Sequence, residues 1–142
     1  ADCEQLKQLG EMLKNKFAYN IAAMAQIEAD TVQTDHPVEF LIDGDNGTYW
    51  LASEDSVGAV IRLRFPELKN ISAVVLGEYL PLGQHIEQGE VLAGKNKIAD
   101  FTVVGHKRIC MFDPVQTKEL IIKITSSRTE AALRLLEVYQ EA

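Results

Sequence analysis

Cysteine is scarce in this chain of 142 residues: Cys3 and Cys110 are the only two. Two thiols cannot build the disulfide framework that lets a small secreted domain manage with little core, and they decide neither pairing nor compartment. Basic residues are also few, 14 Lys and Arg against 21 Asp and Glu for a net charge of −7. They are scattered, so nucleic acid is excluded as a partner, whereas acidic loops suit cations or neutral polyols. No apolar run approaches the roughly 20 residues of a membrane span, so no membrane partner is expected. The N-terminus has neither the charged nor the apolar region of a signal peptide. Gly-x-Ser-x-Gly, a glycine-rich phosphate loop and His-Glu-x-x-His are missing, as are internal repeats and low-complexity tracts.

What remains is an ordinary globular composition, 46% hydrophobic and 25% charged, enough for one domain with a real core. The chain is either cytosolic or a piece of a longer secreted protein, and its segment pattern favours the second. Residues 3–18 place Leu6, Leu9, Leu13 and Phe17 at helical spacing, with lysines and glutamates opposite, which predicts a short N-terminal amphipathic α-helix. From about residue 21 the period changes to short apolar runs between turns: MAQIEA, AVIRLRF, ISAVVLGEYL, ADFTVVG, RICMF, LIIKIT and ALRLLEVY. In AVIRLRF, Ile61, Leu63 and Phe65 alternate with Arg62 and Arg64, the pattern of a sheet with one wet face. Seven such strands without intervening helices imply an all-β, antiparallel β-sandwich of jelly-roll type. ALRLLEVY also fits a helix by its leucines.

The stretch FLIDGDNGTYWLASE, Phe40 to Glu54, carries the most chemistry. Asp43, Asp45 and Glu54 fall at positions 1, 3 and 12 of an EF-hand window, but Thr48 stands where that loop needs glycine, and Gly47 is one residue early. The flanks, with a proline before and a short aromatic run after, are not helices. In a sandwich the same residues form a loop ahead of a strand, with Trp50 as core anchor. Glycine lets the chain turn tightly enough for carbonyls to point inward beside a carboxylate, and calcium accepts such mixed oxygen ligands. Thr48 could add a hydroxyl and Glu137 a second carboxylate. An Asx-turn, with Asp43 and Asp45 bonding only local amides, accounts for the same residues without a metal.

The run IDGDNGTYW, with the closing LLEVY, resembles the galactose-binding-like, coagulation-factor type C (discoidin) domains. LGEYLPLGQHI at 76–86 and VGHKRI at 104–109 resemble the C-terminal β-sandwich of the α-L-fucosidase family of glycoside hydrolases, and LKQLGEMLKNKFAYNIA is similar to that family's helix leading from the catalytic barrel. The resemblance implies residues 1–19 as a linker helix from an absent catalytic domain and 20–142 as the galactose-binding-like sandwich. It also implies a structural Ca2+ held by the Asp43 side chain, the carbonyls of Phe40 and Asp45, the hydroxyl and carbonyl of Thr48, and the Glu137 carboxylate. His85 stands where the fucosidase pattern usually has arginine. The implied context is a secreted or periplasmic enzyme.

A glycosidase sets two carboxylates across a sugar, normally on a barrel of about 250 residues, longer than this chain. Glu87, Glu90, Glu130 and Glu141 read as solvated surface, and His106 with Cys110, in a strand-like run, makes no zinc site. The sequons at Asn46 and Asn70 matter only in a glycosylating host. A carbohydrate-binding, non-catalytic accessory role is therefore expected, with a glycan and the catalytic domain of the same parent chain as partners. The alternative is a structural domain that packs on the barrel and binds no sugar. Candidate carbohydrate contacts are Tyr49, Ser53, Glu54, His85, Lys107 and Arg108, because hydroxyls need fixed polar partners beside a ring. Each has a plainer reading: Lys107 and Arg108 as solvated turn charges, His85 as a strand cap.

Overall fold

The computed structural model describes residues 19–43, 47–53 and 58–140. The expected N-terminal helix, Asp45 and Glu54 lie outside the described residues. Eight strands follow in order: β1 Tyr19–Asn20, β2 Gln26–Ala29, β3 Trp50–Leu51, β4 Ala59–Glu78, β5 Ile86–Ala93, β6 Asn96–Phe101, β7 Arg108–Ser127 and β8 Ala132–Gln140. Short 3-10 turns occupy Ala22–Met24, Val38–Ile42 and Leu80–Leu82. Every pairing is antiparallel, as the alternation in the sequence predicts.

Two strands build both layers. β4 and β7 are 20 residues each, and their register breaks between Arg64↔Glu119 and Lys69↔Thr117. The extra residues on β4, with Pro66 among them, form a corner that carries both strands from one layer into the other. The first layer joins β2, the first half of β4, the second half of β7, β5 and β6; the other joins the second half of β4, the first half of β7, β8, β1 and β3. The runs AVIRLRF and ISAVVLGEYL are thus halves of one bent strand, as are RICMF and LIIKIT. ALRLLEVY is strand β8, its leucines Leu133 and Leu136 turned into the core.

β5 is missing from the sequence pattern because Gly89 interrupts its alternation. A side chain there would place Cβ 2.1 Å from the Phe101 ring of β6, so only glycine lets β5 approach β6. ADFTVVG supplies only the end of β6, and residues 102–105 are loop.

The core lies between the layers. Ile61, Leu63, Leu120, Ile122 and Val91 of the first layer meet Ile71, Val74, Leu133, Leu136 and Val138 of the second. Trp50 is fully buried, with Nε1 donating to the Thr31 carbonyl at 3.0 Å. Outside, the layers differ. Arg62 and Arg64 pair with Glu28 and Glu119 at 3.3–3.9 Å on the first layer, an exposed ladder worth little in stability. On the second layer Val75 pairs with Ile109 and Ala73 with Met111, and Ile109 and Met111 are half exposed. Among the described residues no helix is long and apolar enough to cross a membrane.

Cys110 is buried in this core, and burial pushes its thiol up, against a smaller opposing effect of Arg108. The folded chain therefore holds that proton more tightly than the unfolded chain. The resulting stability is complete below the unfolded thiol pKa, about 8.5, and is lost as pH rises through the raised folded value. Burial also raises Tyr139, with Glu137 adding to the effect, and this acts in the same direction at higher pH. Denaturant unfolding between about pH 8.5 and 10 should show stability falling with pH, with a shallower fall in Cys110→Ala; an identical slope in the variant would rule out the thiol as its source.

Candidate functional site

The strand order brings five connections to one end of the sandwich. β4 leaves that end at Ala59, turns at the corner and returns to it at Glu78; β7 does the same between Arg108 and Ser127. The loops after β2, β3, β4, β6 and β7 therefore converge there.

Glu78 lies under this end. It closes ISAVVLGE, eight consecutive buried residues, and is itself fully buried. Its Oε2 accepts the backbone N–H groups of His85 at 2.6 Å and Ile86 at 3.1 Å, and its Oε1 accepts that of Gly105 at 3.2 Å. Its own N–H donates to the Gly105 carbonyl at 2.8 Å. Buried acceptors need such partners, and here they come from two different loops. The next residue, Tyr79, donates its N–H to the Ala132 carbonyl.

Three rings stack beside it. Tyr49 lies 4.1 Å from His36 and 3.8 Å from Tyr79, at 21° and 14°. Both faces of Tyr49 are thus covered, so this candidate offers an edge and a hydroxyl rather than an open platform. Ser53 donates its Oγ–H to the Val32 carbonyl at 3.2 Å, and its N–H to Thr31 Oγ1 at 2.8 Å. His85 Nδ1 sits 2.9 Å from the Glu130 carbonyl. A carbonyl only accepts, so Nδ1 carries a proton, and whenever the ring is neutral Nε2 is its acceptor. The Glu130 carboxylate is bonded by the Thr129 hydroxyl, which holds it below the usual range. Lys107 is exposed, whereas Arg108 is half-buried against Cys110. Reading Arg108 as a solvated turn charge is therefore incorrect: it shares the inward face of β7 with Cys110. His106 is exposed in the loop while Cys110 faces the core.

The end thus unites Tyr49, Ser53, His85 and Lys107, and adds three residues that sequence reasoning passed over: His36, Glu78 and Tyr79. For Glu78 the signal was present, a charged residue ending an unbroken apolar run. For the ring stack there was none, because His36 and Tyr49 stand far apart along the β2–β3 connection and Tyr79 comes from another loop.

The cation candidates gather elsewhere, at the flank of β8. Asp43 ends the 3-10 turn Val38–Ile42, and the Thr48 hydroxyl donates to its Oδ2 at 2.7 Å. A cleft of about 360 Å³ is lined by Phe40 and Asp43 on one side and by Glu137 of β8 on the other, with Asn20 and Ala22 beside them. Two carboxylates, a hydroxyl and the carbonyls of a tight turn are the hard oxygen donors that calcium takes, so these residues fit the ion in kind. Among the described residues no group of three or more His, Cys, Asp or Glu could hold a metal. A cation here would depend on the hydroxyl and carbonyls as well as the two acids.

No family model matches the chain. It is 23% identical over 151 residues to α-L-fucosidase 1 of Arabidopsis thaliana, which covers 99% of this chain and 30% of that relative. A family-29 fucosidase of Ruminococcus gnavus in complex with fucose superposes with a TM-score of 0.81 at 18% identity, over 98% of this chain and 30% of the other. The family 32 carbohydrate-binding module of Clostridium perfringens NanJ, in complex with galactose, superposes with a TM-score of 0.75 at 18% identity, over 85% of this chain and 98% of that module. The chain spans about 30% of the length of the fucosidases it matches, and the match to the family 32 module takes in nearly the whole of that module. The fold is that of the galactose-binding-like modules, and the sequence is similar to one portion of an α-L-fucosidase.

Proposed function

We propose that this chain is a non-catalytic carbohydrate-binding accessory module of a secreted, α-L-fucosidase-like glycoside hydrolase, and that it meets glycan with the loop end above Glu78. The observation that carries this reading is the convergence there of Tyr49, Ser53, His85 and Lys107, polar groups on separate loops tied to one rigid sheet end. His85 Nε2 would accept a sugar hydroxyl, Lys107 would donate to one, and the Tyr49 hydroxyl does either. Such a shallow polar site recovers little energy after ordering costs, which argues for a dissociation constant near the millimolar range, about −4 kcal/mol.

A second reading has its own support. Ile109 and Met111, beside Val75 and Ala73, give the second layer an apolar outer surface, and soluble domains cover such patches with a neighbour. In that reading the domain packs against the catalytic barrel of the same parent chain and binds no sugar.

In both readings the cleft at Asp43 takes a structural calcium ion. Asp43 would be its central ligand, with Glu137 closing the site from β8, Phe40 and Asp45 giving carbonyls, and Thr48 its hydroxyl and carbonyl. The ion would supply positive charge between the two carboxylates and join the 3-10 turn to the last strand.

Isothermal titration with fucose- and galactose-terminated oligosaccharides should give millimolar binding, with the oligosaccharide recovered uncleaved and with His85→Ala and Lys107→Ala each weakening it severalfold. Silence across a broad glycan array by folded protein would overturn the sugar reading and favour the packing one.

For the ion, binding to the folded state alone stabilises by about 2.7 kcal/mol at a hundredfold excess over Kd. Chelation should then lower the melting temperature by about 5 °C or more. Asp43→Ala should abolish this calcium dependence, Glu137→Gln should weaken it, and Glu54→Gln should leave it in place, whereas an EF-hand would lose its bidentate ligand with Glu54. Coincident melting curves in calcium and chelator would leave the Asx-turn.

A further inference from the structure

We infer that Glu78 is the positioning residue of the loop end: its carboxyl sets the two loops that carry His85 and Lys107, and so preorganises the surface assigned above to glycan. The inference rests on that assignment only for its consequence in binding. Its geometric content is independent.

Three backbone N–H groups aim at this one side chain, two from the start of β5 and one from the turn before β7. Oε2 holds His85 and Ile86, and Oε1 holds Gly105. The loops 79–85 and 102–107 are therefore bonded to the end of β4 and, through it, to each other. The same residue closes a backbone pair with Gly105, since its N–H donates to the Gly105 carbonyl. Below Glu78 the strand pairs with β8, Leu76 opposite Leu136 and Gly77 opposite Leu135, and after a bulge that passes over Arg134 Glu78 stands opposite Leu133, so the side chain projects from a paired strand end. Its neighbour Tyr79 extends the arrangement to Tyr49 by stacking.

The ring of His85 gains most. Its backbone N–H is held by Glu78 at 2.6 Å while its Nδ1 is held by the Glu130 carbonyl at 2.9 Å. Anchored at both points, the imidazole keeps one orientation and one tautomer before any ligand arrives. A ligand then pays less ordering cost.

Glutamine is the discriminating replacement because it keeps the shape and changes one acceptor into a donor. Its amide oxygen can serve one loop, but its NH2 then faces the N–H of the other, and two donors cannot bond. Aspartate, one methylene shorter, cannot reach both loops.

The test is amide hydrogen exchange, followed by NMR in the whole chain, for the unmodified protein and Glu78→Gln. Exchange at Gly105, or at His85 and Ile86, should accelerate by about tenfold or more, equivalent to about 1.4 kcal/mol, while Val74 and Ile122 in the paired strands keep their rates. Glu78→Asp should free one loop in the same way. Unchanged rates at all three amides would overturn the inference. So would a uniform acceleration that includes Val74 and Ile122, since that is general destabilisation. Should Glu78→Gln not fold, the unmodified chain still decides: scalar couplings across the hydrogen bonds, from the amide nitrogens of His85 and Ile86 to the Glu78 carboxyl carbon, are expected, and their absence contradicts the geometry. If local exchange accelerates but no glycan binds either protein, the positioning role stands and the glycan assignment falls.

Discussion

A carboxyl group buried at the end of an apolar strand is the constraint on which the polar end of this domain depends. Glu78 cannot turn to water, so its oxygens must find donors within the fold. The donors are backbone N–H groups of His85, Ile86 and Gly105, and those groups can reach it only if two loops close over the sheet. Loops of this kind otherwise cost conformational entropy to order. A burial requirement at one residue thus becomes a fixed arrangement of several exposed ones, and the link from sequence to site passes through that requirement.

The bent strands bring those loops to one end. Because β4 and β7 each run out and back, their beginnings and ends lie together, and the five loops of one end are held on a common frame. The corner also separates two outer surfaces of different character. The Arg62 and Arg64 ladder is a solvated face, whereas Ile109 and Met111 lie on an apolar one. The cleft proposed to take calcium stands apart from both, between the 3-10 turn of Phe40 and the flank of β8.

Much of this was legible in the sequence, for physical reasons that differ by element. Alternation in AVIRLRF identified a strand with one wet face because side chains of a pleated strand point to opposite sides. Trp50 read as core, and it is fully buried. The family pattern implied one calcium-holding group of Asp43, Asp45, Thr48, Phe40 and Glu137; Phe40, Asp43 and Glu137 line a single cleft and Thr48 bonds Asp43, while Asp45 lies outside the described residues. Other features left little trace. β5 hid behind Gly89, whose need for close approach to Phe101 is a tertiary fact. The corner in β4 looked like a break between two strands, because Pro66 and the charges around it resemble a turn. The stacking of Tyr49 on His36 and Tyr79 depends on distances across loops, which no local spacing encodes. Arg108 read beside Lys107 as a carbohydrate contact or a solvated turn charge, yet the strand's alternation sets it half-buried on the face of Cys110.

In the proposed reading, ligand recognition belongs to the end that Glu78 holds, rather than to either outer face. Mapping amide chemical-shift changes during titration with a galactose- or fucose-terminated oligosaccharide tests it most directly. The shifts should concentrate in residues 79–85, 102–107 and 128–131, with Arg62, Lys123, Ile109 and Met111 unmoved. Shifts centred on the charged ladder or on the apolar face, with the loop end silent, would contradict it.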